Sequence, residues 1–215
     1  MIKLLRFAGS LFLLGACQST QHSLQQVPVK LAAERQVYEQ RRLVKSQFAS
    51  LDMLVAQGLE VQRVDLMWGL QDFPSVEMTR NRDGVVTIAL KYWGHEHRQL
   101  LPDQLWDDMA ARARVALVPW DSRGQRSRTR VVGRCHDWHE LEAALDGQQM
   151  RVTASPCPGR NRQASLDYAN ALARIAIDNI SICEPDRQAA SIPDALAACS
   201  RRFGPPTEEY RAQVN

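Results

Sequence analysis

Residues 1–16 carry the layout of an export signal, and the oxidising compartment this implies governs how the rest of the chain can fold. Lys3 and Arg6 give a positive start, Phe7 to Leu14 form an apolar stretch, and the small residues Gly15 and Ala16 precede Cys17. Basic start, short apolar run and small-residue end are the three parts of a secretory signal. The apolar run falls short of the about 20 residues needed to cross a hydrocarbon core of roughly 30 Å, so a permanent membrane span is not expected. Beyond Cys17 the cysteines are Cys135, Cys157, Cys183 and Cys199. An even set in an exported chain reads as disulfides, with three possible connectivities. Pairing of sequence neighbours, Cys135–Cys157 and Cys183–Cys199, is the expectation. Each bond would close a short loop and contribute about 3 kcal/mol in the chain-entropy treatment. Free thiols or metal ligands are the alternative.

The end of the signal, Leu14-Gly15-Ala16-Cys17, resembles the lipobox of bacterial prolipoproteins. The resemblance implies that the Cys17 thiol takes a diacylglyceryl group, that the signal peptide is cut before it, and that the new amino terminus is acylated, for example with palmitate. Several acyl chains hold durably where one holds weakly, because each buried methylene contributes about 0.8 kcal/mol. In that family an aspartate after the cysteine retains the protein in the inner membrane. Gln18 stands there, so the resemblance implies an outer-membrane, periplasm-facing anchor. The alternative is ordinary cleavage near Ala16, leaving Cys17 as an unpaired thiol.

Lys3 and Arg6 leave with the signal, which lowers the net charge from +3 to +1. That balance gives no case for nucleic-acid binding. Residues 17–30 are polar and glutamine-rich and read as a tether; residues 31–204 read as one periplasmic domain, and 205–215 as an exposed tail. Val37, Val44 and Leu51 recur every seven residues, with Phe48 and Val55 beside them, so 31–57 is expected to be one amphipathic helix ending near Gly58. Too few heptads are present for a coiled coil, which favours packing on the chain's own core over a partner helix. Alternation around Asn81-Arg82-Asp83-Gly84 predicts a hairpin over Ser75–Trp93. Helices are expected over Pro102–Ala116, Asp137–Leu145, Gln163–Asn179 and from Ser191 to Arg202, the last with a capping box. Val131–Gly133 and Met150–Ala154 read as strands around the Asp137–Leu145 helix. Parallel pairing of those strands would bring Cys135 and Cys157 to the same end. The fold class is therefore α+β: an N-terminal amphipathic helix, a small mixed sheet or an antiparallel one with helices packed on it, and two disulfides in the C-terminal half.

Histidines supply the most suggestive chemistry. His95 and His97 are two apart and would share one face of a strand. His136 and His139 are three apart and would share one face of a helix. With Cys135, Asp137 and Glu140 nearby, they offer donors suited to zinc or copper, although no closed zinc signature is present. Arg126, Arg128 and Arg130 alternate between apolar segments and would align guanidinium groups for phosphate, carboxylate or an acidic partner; the alternative is a solvated loop. Neither G-x-S-x-G, S-x-x-K nor a glycine-rich phosphate loop occurs. The five tryptophans are dispersed, which suits core and edge packing better than a groove.

Asn161, Ser165, Ala169, Ala171 and Leu172, after the strand at Arg151-Val152-Thr153, resemble the "N-x-x-L-S-x-x-R-A-x-A-V" helix of outer-membrane-protein-A-type domains. Ala164 replaces the leucine and Tyr168 the ligand-binding arginine, and Ala154-Ser155-Pro156-Cys157 replaces the family's turn. Over about 20 residues the resemblance implies an α/β envelope domain and carries no implication of peptidoglycan binding. The function expected is a non-catalytic accessory, assembly or binding lipoprotein of the cell envelope. Its partners would be the bilayer, through Cys17, and an envelope protein or cell-wall component. The competing expectations are a metal-binding lipoprotein built on the histidines, with zinc or copper, and a periplasmic hydrolase whose acid–base pair the sequence does not reveal.

Overall fold

The computed structural model describes residues 36–68, 71–119, 138–154 and 163–214. Cys17, the tether, the strand expected at Val131–Gly133, Arg126, Arg128, Arg130, Cys135, His136 and Cys157 all lie outside the described residues. The chain divides into two units, 1–42 and 43–215. Of the first, only helical residues 36–42 are described, and there Arg42 pairs with Glu39 at 2.7 Å.

Residues 36–46 are helical (α1), and a second helix, α2, spans Leu51–Ala56. The single helix expected over 31–57 is thus broken. Gln47 takes a left-handed backbone, φ 57°, which ends the first helix. Ser50 caps the second by accepting from the Met53 N–H at 3.2 Å.

Eight strands follow among the described residues: β1 Glu60–Trp68, β2 Gln71–Asp72, β3 Ser75–Arg80, β4 Val86–Tyr92, β5 His95–Leu101, β6 Val118–Pro119, β7 Trp138–Leu145 and β8 Gln148–Ala154. Six are long. They form one sheet in the order β5-β4-β3-β1-β7-β8-β6, with β2 paired to the end of β1, and every pairing is antiparallel. The fold is α+β as expected, and of the two sheet types expected it is the antiparallel one that forms among the described residues.

The Ser75–Trp93 hairpin forms as expected. Asn81 Oδ1 accepts from the Asp83 and Val85 N–H groups at 3.0 and 2.9 Å, which shapes its turn. The helix expected over Asp137–Leu145 is instead strand β7. It pairs with β8 through Asp146 and Gly147, both at positive φ (52° and 74°), the geometry of a two-residue hairpin turn. The expected strand–helix–strand crossover is therefore replaced, at its described end, by a hairpin.

Alternation along each strand divides the sheet into two faces. One carries Val64, Leu66, Met78, Ile88, Leu90, Leu141, Leu145 and Val152, all buried. Against it pack helix α3 (Asp103–Ala116), α4 (Gln163–Asn179), a 3₁₀ turn (Ser181–Asp186) and α5 (Ile192–Ser200), completing the main core. Trp106, Leu172 and Ile177 are fully enclosed there. Ser165 Oγ on α4 donates to the Ala116 carbonyl at the end of α3 at 2.7 Å. Ser191 caps α5, accepting from the Asp194 N–H at 3.2 Å. The Cys183–Cys199 disulfide, with Cα atoms 4.9 Å apart, ties the 3₁₀ turn to α5. Arg202 reinforces the same junction, donating to the Ile182 carbonyl at 3.2 Å and to Asp186. That guanidinium holds the Asp186 carboxyl below the usual carboxylate range.

The segment read as an exposed tail contains a last helix, α6 (Glu208–Val214). Most of its residues are exposed, but Tyr210 is buried. The Thr207 N–H donates to the Trp93 carbonyl at 2.9 Å, fastening the segment to the β4–β5 turn.

Candidate functional site

The second sheet face presents charge. In strand register, Arg151 (β8), Glu142 (β7), Arg63 (β1) and Glu77 (β3) stand in one row. A parallel row runs through Thr153, Glu140 and Asp65, then through Ser75, Lys91 and Glu96 on β3, β4 and β5. Residues at such cross-strand positions have Cβ atoms roughly 5 Å apart, so opposite charges attract directly. Arg63 binds Glu142 through Nε at 2.7 Å and Nη2 at 2.6 Å, and its Nη1 donates to the Ala49 carbonyl at 2.6 Å. Lys91 Nζ donates to Glu77 at 2.6 Å and to the Gln47 carbonyl at 3.4 Å. Arg151 lies 3.4 Å from Glu142 and 3.5 Å from Glu140, and Thr153 Oγ1 donates to Glu140 at 3.0 Å. Ser75 Oγ donates to Asp65 at 3.2 Å.

Unlike an ordinary polar sheet face, the centre of this lattice is not in water: Arg63 is 1% exposed and Glu142 3%, while Thr153 and Glu96 at its ends are exposed. The cover comes from residues 47–56. The Phe48 ring lies under the Arg63 guanidinium, 4.6 Å from its centre, and 5.7 Å from the Lys91 ammonium. Helix α2 seals the far end, where Leu54 packs on Val61 and Ala144. The left-handed turn at Gln47 is what brings its carbonyl to Lys91 and Phe48 over the ions.

A cavity of about 350 Å³ opens beside this cover. Leu43, Val44, Gln47 and Phe48 form one wall; Gly94, Thr207, Glu209, Tyr210 and Gln213 form the other. Its volume is at the low end for small-ligand sites. A far smaller void, about 10 Å³, lies between Lys45, Asp65, Ser75, Lys91 and Tyr210.

Within the lattice the charged groups hold one another. Ser75 and Lys91 are cross-strand partners, the placement a serine–lysine pair would need. Ser75 is instead engaged by Asp65, and the Lys91 ammonium by Glu77 and a carbonyl. A further buried polar pair, Tyr168 donating to Gln62 at 3.1 Å, sits inside the apolar core. Burial raises the Tyr168 hydroxyl far above the ordinary phenol range, so it stays a neutral donor.

The histidines divide. His95 and His97 share a face of β5, as their spacing implies. His95 Nε2 lies 2.9 Å from the Pro205 carbonyl, and the His97 ring packs edge-on against Phe203 with centroids 4.8 Å apart. Burial, and secondarily His95, lowers the His97 pKa from its ordinary value. His139 is buried on β7. Strands β4, β3 and β1 intervene, which at roughly 4.8 Å per strand puts it some 19 Å away. His95 and His97 therefore do not meet His139, and among the described residues no three His, Cys, Asp or Glu side chains are grouped to hold a metal ion. The ion lattice went unrecognised in the sequence. Its signal is the alternation of Arg63 with Asp65, Ser75 with Glu77, and Glu140 with Glu142, but that pattern marks a sheet face without showing that the face is covered.

Compared with protein-family models and with curated proteins, the chain matches none.

Proposed function

We propose that this protein is a bacterial lipoprotein, anchored through acylated Cys17 to the outer membrane and facing the periplasm, where it serves as a non-catalytic accessory or binding component of the cell envelope. The observation that carries this reading is the Leu14-Gly15-Ala16-Cys17 motif at the end of a basic–apolar signal. One structural feature is consistent with it: the Cys183–Cys199 bond suits an oxidising compartment. A second bond, Cys135–Cys157, belongs to the same proposal.

The test is the intact mass of protein extracted from membranes, before and after reduction and alkylation, with palmitate labelling of the wild type and of Cys17→Ser. The expected result is loss of residues 1–16, addition of diacylglyceryl and acyl groups at Cys17, and four cysteines that alkylate only after reduction. An unlipidated chain with a free Cys17 thiol would overturn the anchor. Free Cys135 and Cys157 would overturn the second bond.

A further inference from the structure

Strand β5 ends the sheet, with no strand beyond it among the described residues. A two-residue turn, Trp93-Gly94, joins it to β4 with Tyr92 opposite His95. Such a turn makes the flanking pair a hydrogen-bonded one. The N–H and C=O groups of His95, His97, Gln99 and Leu101 therefore point to β4, and those of Glu96, Arg98 and Leu100 point outward. Unpaired strand edges of this kind template pairing with another chain.

From this edge we infer that two copies of the chain associate through antiparallel β5 strands, about a twofold axis at His97. Register and charge select that arrangement. A twofold axis normal to the sheet must pass through a residue, so that each side chain stays on its own face. An axis at Arg98 sets Arg98 against itself; one at Glu96 sets Glu96 against itself. An axis at Gln99 brings Pro102, which has no N–H, to the edge opposite Glu96. Only the axis at His97 places Glu96 of each copy opposite Arg98 of the other, twice, at positions whose backbone groups also pair. Both side chains lie on the charged face of the sheet and already contact one another within the strand. Pairing would extend the Lys91–Glu96 row, 3.8 Å at its end, across the junction. Leu100, 65% exposed on the same face, would be partly covered. The occupant of this edge is a second copy, and the inference does not depend on the lipid anchor.

The test uses full-length protein in mild detergent. Light scattering should give the mass of two copies for the wild type. Arg98→Glu should weaken association roughly tenfold or more, because two cross-strand attractions become repulsions. Glu96→Arg/Arg98→Glu, which restores the complementarity, should recover the dimer. His97→Cys supplies a second readout. Facing residues in a non-hydrogen-bonded pair have Cα atoms about 4.5 Å apart, within disulfide reach, so this variant should run as a reducible dimer. A wild type that stays a single copy, a dimer indifferent to Arg98→Glu, or cross-linking at Arg98→Cys in place of His97→Cys would overturn the inference.

Discussion

Replacing Arg63 by methionine tests whether the buried ion lattice holds the sheet together or merely decorates it. Methionine keeps an unbranched stem over Phe48 and removes the guanidinium. The change deletes both contacts to Glu142 (2.7 and 2.6 Å), the 2.6 Å bond to the Ala49 carbonyl and a 3.7 Å approach to Glu77. Glu142, 3% exposed, is left facing Arg151 at 3.4 Å. Hydrogen bonds to charged groups contribute about 1.5–3 kcal/mol each, and breaking a buried ion pair from one side costs about 3–5 kcal/mol because the remaining charge stays desolvated. The expected loss is about 4 kcal/mol, a large part of the about 5–15 kcal/mol that holds a domain folded. In urea, with m about 2 kcal/mol/M, the midpoint should fall by about 2 M at unchanged m. Adding Glu142→Gln should recover part of the loss, because the stranded carboxylate is neutralised while an amide still reaches Arg151. The two losses should then sum to more than the double variant shows. A loss below about 1 kcal/mol for Arg63→Met would mean that water reaches these ions and the argument from burial is wrong.

Three further outcomes follow from other parts of the fold. Cys183→Ala/Cys199→Ala opens a 16-residue separation and should cost about 3 kcal/mol, read as a urea midpoint shift of the double variant against the unreduced wild type; no shift would show that the bond adds nothing. Gly94→Ala puts a methyl group into the Thr207 side chain at φ 88°, with strain on the order of 1–3 kcal/mol. It should loosen the C-terminal segment and speed trypsin cleavage at Arg211, and unchanged cleavage would refute that coupling. His97 should make stability depend on pH. Burial holds its folded pKa below the ordinary imidazole value, so the unfolded chain binds the proton more readily and stability falls as pH drops through the ordinary value towards the folded one. His97→Gln should flatten this slope in pH-dependent thermal unfolding, and an unchanged slope would assign it to other groups.

The hairpin at Ser75–Trp93 and helices α3, α4 and α5 were legible because their signals are local: Asn81 through Gly84 for the turn, Ser191 with Asp194 for a cap. Strand β7 was not. Leu, Glu and Ala are strong helix formers, and Glu140-Leu141-Glu142-Ala143-Ala144-Leu145 satisfies a helical pattern as well as an alternating one. Asp146-Gly147 was the better guide, since that dipeptide favours the turn actually formed. The break at Gln47 was hidden because a glutamine rarely takes positive φ; here tertiary contacts, chiefly the carbonyl–Lys91 bond and the seat of Phe48, over-determine it. The charged face was visible as alternation, whereas its burial depends on a cover from a distant part of the chain.

Strand β1 lies between neighbours of very different origin. On one side β3, β4 and β5 follow it through short connections. On the other stands β7, whose Glu142 is 79 residues from Arg63. The sheet is thus two locally assembled blocks, the meander β1–β3–β4–β5 and the hairpin β7–β8, whose strands meet along one seam, β1 against β7. Local blocks close quickly and remote pairings slowly, so the seam is the last place where the strands can be misaligned. A slip of one residue there would turn Leu141 and Leu145 to the wrong face, and would offer Arg63 an alanine or a leucine where it needs a carboxylate. The Arg63–Glu142 pair is therefore a checkpoint on assembly as well as a contact in the finished sheet.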